Sequence, residues 1–187
     1  SNLGNIYQHL GDYNQAKKYH HLSLEIARDT QNRRGELISL QLLADIERNL
    51  GNFSEALNYY EVSLNIAEFI QDKRGEFDSL CGLGNIFHVL GDYSQSLDFH
   101  QKSLTLSKSL QDPQREQQIL SYLGHDYFEL QSYSEAFSCY EKSWKLAKEF
   151  SLLQGECLAL MNLGNCFWQF ENLEEAISFY QESLSLA

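Results

Sequence analysis

Apolar residues recur along this chain at spacings of three and four, the period of an amphipathic helix, and short polar clusters interrupt them. Leu80, Leu83, Phe87 and Leu90 form one stripe; Tyr93, Leu97 and Leu104 form another; Gly91-Asp92 lies between, so the segment reads as helix, tight turn, helix. Shifted by forty, the sequence aligns with itself without a gap. Leu3-Gly4-Asn5 falls on Leu43-Ala44-Asp45, Leu83-Gly84-Asn85, Leu123-Gly124-His125 and Leu163-Gly164-Asn165. Gly11-Asp12-Tyr13 falls on Gly51-Asn52-Phe53, Gly91-Asp92-Tyr93, Gln131-Ser132-Tyr133 and Glu171-Asn172-Leu173. The small residues Ala16, Ala56, Ser96, Ala136 and Ala176 follow, then Ser23, Ser63, Ser103, Ser143 and Ser183. Five copies result: a partial one at 1–30, three at 31–70, 71–110 and 111–150, and a nearly complete one at 151–187. A helical hairpin cannot bury both of its faces alone, so the copies must stack.

Local signals sharpen the boundaries. Asp12, Asn52, Asp92, Ser132 and Asn172 each precede a Gln or Glu by three residues, which predicts a capping box at the second helix of every copy, from 53 to 69 and equivalents. Asn32, Asp72 and Asp112 are N-cap candidates, and Pro113 stands where its missing N–H costs nothing. First helices are expected from near 33, 73, 113 and 153 to near 50, 90, 130 and 170, and about nine helices in all. Leu83, Gly84, Phe87, Ser96, His100 and Leu104 should be buried together, with Leu120, Leu123, Tyr127 and Leu130 as the core stripe of the fourth copy. Small residues such as Gly84 and Ala56 should face large ones such as Phe87 and Tyr60. One copy departs from the pattern: Glu47 stands where Tyr7, Phe87, Tyr127 and Phe167 supply an aromatic, and His20 or Tyr60 is the expected hydrogen-bond partner.

Leu3, Gly4, Tyr7, Gly11, Asp12, Tyr13, Ala16, His20, Ser23 and Leu24 together resemble the tetratricopeptide repeat. The forty-residue period is similar to that of kinesin light chains, of polarity adaptors that bind Gα subunits, and of bacterial signalling arrays. The resemblance implies an all-α, right-handed solenoid of stacked hairpins whose first helices line a concave face. It also implies that residues one and two before each repeat leucine, and two, five and six after it, point into that face. The rung two after the leucine reads Asn5, Asp45, Asn85, His125 and Asn165, and a carboxamide that both donates and accepts suits an extended peptide backbone. The same rung also reads as polar residues on a solvated face. Elsewhere the implied groove carries Gln41, Arg48 and Asn49 in the second copy, His88 in the third, Tyr122 and Phe128 in the fourth, and Asn162 and Trp168 in the fifth. Phe128 and Trp168 lie beside the core stripe rather than in it, which marks them as anchor candidates. The family's carboxylate clamp needs Lys or Arg beside the Asn rung, and Arg48 is the single strong cation there.

Composition narrows the function. Fourteen Lys and Arg against 26 Asp and Glu give a net charge of −12, unlike a chain that neutralises phosphates, so no nucleic-acid partner is expected. No apolar run is long enough to span a bilayer and no leader pattern opens the chain, so no membrane partner and a cytoplasmic location are expected. Cys81, Cys139, Cys157 and Cys166 form no CxxC pair and read as reduced thiols. No nucleophile lies beside a base, no Gly-rich phosphate loop occurs, and neither Cys81/His88/His125 nor His20-His21 has full ligand spacing, so no catalytic residue, cofactor or metal is expected. A non-enzymatic scaffold binding a partner peptide or helix in the groove follows. The rival is a regulatory or oligomerisation segment of a larger multidomain enzyme or signalling protein. The register of the end copies suggests a fragment of a longer protein whose ends associate weakly end to end.

Overall fold

The computed structural model describes residues 2–186, and these hold ten α-helices and no strand. They are α1 (Asn2–His9), α2 (Tyr13–Asp29), α3 (Arg33–Asn49), α4 (Phe53–Phe69), α5 (Lys73–Val89), α6 (Tyr93–Leu110), α7 (Pro113–Glu129), α8 (Tyr133–Glu149), α9 (Leu153–Gln169) and α10 (Leu173–Leu186). The starts at 33, 53, 73 and 113 fall where the capping residues put them and that at 153 where the period puts it, while the expected nine helices are ten because α1 and α10 both form. Two compact units divide the chain inside α5, one ending at Ile86 and one beginning at Phe87.

Caps fix the register of both units. The side chains of Asp12, Asn32, Asp72, Asp92, Asp112 and Asn172 each accept a backbone N–H three residues on. The uniform capping box is corrected at two places: Asn52 and Ser132 make no such bond. Asn52 is drawn away because its amide donates to Glu47 Oε2 at 2.8 Å. The hairpin turn needs one residue at positive φ, supplied by Gly11, Gly51 and Gly91 at 76–81° and, where copies four and five lack glycine, by Gln131 and Glu171 at 59° and 60°.

In the first unit, α2 packs between α1 and α3, and α3 against α4. Leu24, Leu40 and Leu43 form a core with Tyr59, Val62 and Ile66 against it. The aromatic between helices is a stack: Tyr7 lies on Tyr19 at 5.4 Å, nearly parallel. Glu47 interrupts that column and is wholly buried. Its partners are Lys17 Nζ, 2.5 Å from Oε1, and Asn52, not His20 or Tyr60, because the long Lys17 side chain reaches in from α2. Burial alone would raise the Glu47 carboxyl, but the bonds from Lys17 and Asn52 outweigh it and hold the group below the usual range. The ring of Tyr60 lies over Gly82, where a Cβ would strike it.

In the second unit α7 packs on α6, α8 and α9, and α9 on α8 and α10. Ala136, Tyr140, Leu163 and Cys166 form a core flanked by Tyr127, Phe128, Phe137, Trp144 and Phe179. Phe87 stacks on Phe99 and Phe167 on Phe179, repeating the Tyr7–Tyr19 arrangement. The expected stripes need correction at their ends: Leu90 and Leu130 close their helices beside the turns and are exposed, and Phe87, Leu104 and Tyr127 are half-buried. The repeat leucines Leu43, Leu83, Leu123 and Leu163 are buried as expected, and so are the residues three after them, Ile46 and Ile86 in the first unit, Asp126 and Cys166 in the second, whereas Ile6 of the first copy is exposed.

Candidate functional site

On the first unit the polar rung is tied into the fold. Asp45 Oδ1 accepts from the Tyr60 hydroxyl at 2.6 Å and from Arg48 at 3.0 Å, so the single groove cation is spent on a neighbour. Gln41 donates to the Gly75 carbonyl at 2.8 Å and the Ser79 hydroxyl at 2.9 Å, linking α3 to α5. Asn85 has only a long contact to Cys81 Sγ at 3.8 Å, while Asn5 and Asn49 are exposed. His20 is completely buried against Gly4, with neither ring nitrogen hydrogen-bonded, and burial pushes its imidazole down to about 4.

The second unit holds a polar cluster that repeat spacing did not reveal. Asp126, on the buried face of α7, accepts from His100 Nδ1 of α6 at 2.6 Å through Oδ2, and from His88 Nδ1 of α5 at 2.7 Å through Oδ1. The Ser96 hydroxyl donates to Oδ1 at 2.8 Å. Burial would raise this carboxyl; the bonds from His100, His88 and Ser96 win, and it stays ionised below the usual range. Tyr122 stacks on the His100 ring at 5.4 Å, and His125 lies between Tyr122, His88 and Tyr140 with Nε2 accepting from the Asn162 amide at 3.2 Å. A signal for Asp126 existed: it stands in a column otherwise occupied by Ile6, Ile46, Ile86 and Cys166.

Beside this cluster runs an open cleft of about 510 Å³ on α7 and α9, lined by Gln114, Gln118, Tyr122, Gln154 and Leu158 and floored by Gln117 and Ser121, whose bonds to Ser143 pin α7 to α8. α9 contains no Lys or Arg, and the one cation of α7, Arg115, is paired with Asp112. Trp168, 59% exposed, and Met161 lie further along α9, while Phe128 is half-buried edge-on to Tyr133. Asn165 accepts from the Tyr180 hydroxyl at 2.7 Å, repeating Asp45 with Tyr60. None of the four cysteines is in a disulfide, and among the described residues no group of three or more His, Cys, Asp and Glu is arranged to hold a metal. Nor is any described helix long and apolar enough to cross a membrane.

The model of the tetratricopeptide repeat family matches residues 1–68, 75–149 and 115–187. The chain belongs to the tetratricopeptide repeat family. This fold generally mediates protein–protein interaction and its members are generally non-enzymatic scaffolds. Among solved structures it is similar to BtubC (BKLC) of P. vanneervenii, with 17% identity and a TM-score of 0.89 over 98% of this chain and 76% of that one. It is also similar to a signal-transduction ATPase with a tetratricopeptide repeat sensor from Pyrococcus horikoshii, at 21% identity and TM-score 0.88, covering 99% of this chain and 28% of that one. A putative kinesin light chain repeat protein of Podospora anserina gives 14% identity and TM-score 0.81, over 99% and 91% of the two chains. At such identities the likeness concerns the all-α repeat fold. No curated protein matches the sequence.

Proposed function

We propose that this tetratricopeptide repeat chain is a non-enzymatic binding module that takes a peptide or helix of a partner protein on its first-helix faces, with the α7/α9 face of the second unit as the principal site. The supporting observation is the cleft of about 510 Å³ with the exposed Trp168 further along the same helix. Its uncharged amides give and receive hydrogen bonds, and its apolar groups, Leu158, Met161 and Trp168, offer anchors. Stacked helices hold the cleft in shape, so binding orders mainly the ligand. The partner segment is not acidic, since no free cation lines α9 and the chain as a whole is acidic. On the first unit, Asn5, Asn49 and Asn85 are the rungs with capacity left for a ligand, Gln41, Asp45 and Arg48 being engaged. Affinity capture with the intact chain tests this. Trp168→Ala and Leu158→Ala should each weaken the captured partner about tenfold or more without lowering stability. Unchanged capture by both variants would overturn the site.

A second reading has its own observation. An apolar groove of about 530 Å³ between α9 and α10 is lined by Leu153, Cys157, Leu158, Met161, Ser183 and Leu186, with Ile177 and Leu184 exposed on α10. Such a surface favours contact with a further helix, in a larger protein or in weak end-to-end self-association. Concentration-dependent sedimentation that Leu186→Lys abolishes would support association, and a strict monomer at high concentration would reject it.

A further inference from the structure

Asp126 is a carboxylate shared by two imidazoles, and the two are not equivalent. His100 is sealed in, its Nε2 buried and without a partner. The His88 side chain keeps 32% of its surface, and only its Nδ1 is bonded. The two nitrogens lie on opposite sides of an imidazole, so fixing Nδ1 on the buried carboxylate turns Nε2 away from it. An imidazole needed only to satisfy Asp126 would do so from a sealed position, as His100 does. We infer that Asp126 makes His88 a proton-switched contact point on the first-helix face of the second unit. Nε2 then offers an N–H to a partner's carbonyl oxygen when the ring is protonated, and a lone pair to a partner's N–H or O–H when it is neutral. This rests on the reading of that face as a binding surface.

Proton accounting is simple. Nδ1–H stays on His88, donating to Asp126, in both states; the proton that comes and goes is the one on Nε2, exchanged with water. The groups facing the ring agree with this. From α6 come Tyr93, whose ring stands edge-on at 5.4 Å, and His100, across the shared carboxylate. From α7 come Asp126, Glu129 and His125, the last with its ring centre 6.4 Å away. Tyr140 of α8 and Asn162 of α9 reach His125. The Asp126 hydrogen bond, working against burial, lifts the His88 imidazole above its ordinary value, with help from Glu129. Burial, and then the nearby His88, push His125 the other way, so it stays neutral while His88 charges. Asp126 acts through His88 and is a positioning residue.

Nitrogen-15 NMR of the intact chain with labelled histidine, titrated between about pH 5 and pH 9, tests the switch. His88 should titrate above 6.5 and its neutral form should be the Nδ1–H tautomer. In Asp126→Asn the midpoint should fall and the Nδ1–H tautomer should lose its dominance. Should Asp126→Asn not fold, Glu129→Gln provides the second variant, with a smaller fall in midpoint and the tautomer kept. A wild-type midpoint at or below 6.5, or a neutral Nε2–H tautomer, overturns the proposal. A displayed peptide library selected on the intact chain near pH 6 and again near pH 8 tests the contact. Peptides selected at the lower pH should bind at least tenfold more weakly at the higher one, and His88→Gln, which donates at every pH, should remove that dependence. Equal affinity at both pH values, or the same dependence in His88→Gln, overturns the contact role. If no peptide binds at either pH, the binding reading of the face fails, and the contact role with it, while the NMR titration still decides the switch.

Discussion

His20 in the first unit and His100 in the second occupy the same place in the forty-residue period, and both are sealed from water. His100 has a carboxylate at 2.6 Å; His20 has no partner for either nitrogen. The difference comes from one column. The residue twenty-six further on is Asp126 in one case and Ile46 in the other, both fully buried. Where the second helix brings Tyr60 instead, the longer side chain reaches out to Asp45, as Tyr180 reaches Asn165, and the residue twenty-six after Tyr60 stays apolar, Ile86. A histidine is too short for that reach, so it must either find its partner inside or go without. The units therefore carry the same residue in two surroundings, one apolar and one beside a carboxylate.

Removing the partner gives the largest expected effect. Asp126→Ala leaves buried His100 with only the Ser96 hydroxyl, 3.3 Å from Nδ1, frees His88 and opens a small cavity, and should cost about 3 kcal/mol in urea unfolding. Asp126→Ile refills the space and should recover a good part of that loss while making the second unit resemble the first. No loss in Asp126→Ala would break the comparison at its root.

Protons separate the units next. With a folded-state value of about 4 against an ordinary 6.5, His20 resists protonation that the unfolded chain accepts. Its contribution is complete above 6.5 and disappears as pH falls towards 4, so acidification from pH 7 to pH 5 should cost the first unit about 2 kcal/mol. His88 has the opposite sign, because its folded value is raised. Its contribution is complete below 6.5 and disappears as pH rises through that higher value; His125, lowered like His20, works against it, so the second unit should lose less than the first between pH 7 and pH 5. Amide exchange at pH 7 and pH 5, corrected for intrinsic rates, should show α1–α3 opening first. Equal loss of protection in both units would contradict the assignment.

The legible part of the molecule was what repeats or what is local. Period, helix starts at Asn32, Asp72 and Asp112, and the family itself could be read from spacing, because each depends on contacts within one copy. Departures from the repeat were harder. Glu47 was visible as an anomaly, yet its partner Lys17 comes from the helix before, thirty residues upstream, and no capping or periodic rule names it. Asp126 stands out only in the column one residue on from the polar rung Asn5 to Asn165, where its counterparts Ile6, Ile46, Ile86 and Cys166 are apolar. That rung itself reads as ligand-facing in sequence, yet two of its five members, Asp45 and Asn165, accept from tyrosine hydroxyls, which only the side-chain reach of Tyr60 and Tyr180 discloses.

A gain is expected from repairing the first unit. His20→Tyr places a hydroxyl within reach of Asn5, as Tyr180 reaches Asn165 over Gly164, and Gly4 offers the same open floor. About 1 kcal/mol should be gained at pH 7, and more at pH 5, where the titrating imidazole is gone. A loss would mean that His20 has a partner the fold does not display.

The smallest effect concerns the other buried carboxylate. Glu47 resembles Asp126 in being sealed and ionised, but its partners differ in kind: the Lys17 side chain is 36% exposed and can return to water, whereas His100 cannot. Glu47→Phe restores the aromatic that Tyr7, Phe87 and Phe167 supply, and Tyr59 occupies the place of their stacking partners Tyr19, Phe99 and Phe179. It also releases the Asn52 amide, leaving that side chain free to cap α4 as Asp12 caps α2. Against these gains stands the loss of one ion pair and one hydrogen bond, so stability at pH 7 should move little, by less than about 1 kcal/mol in either direction. The depressed Glu47 carboxyl adds a sign that can be checked: its contribution is present above the ordinary carboxylate value and lost as pH falls through the lower folded one, so wild type and variant should diverge only in acid. A drop at pH 7 as large as that of Asp126→Ala would show that a buried carboxylate is needed in both units, and that the exposure of the partner does not decide what its removal costs.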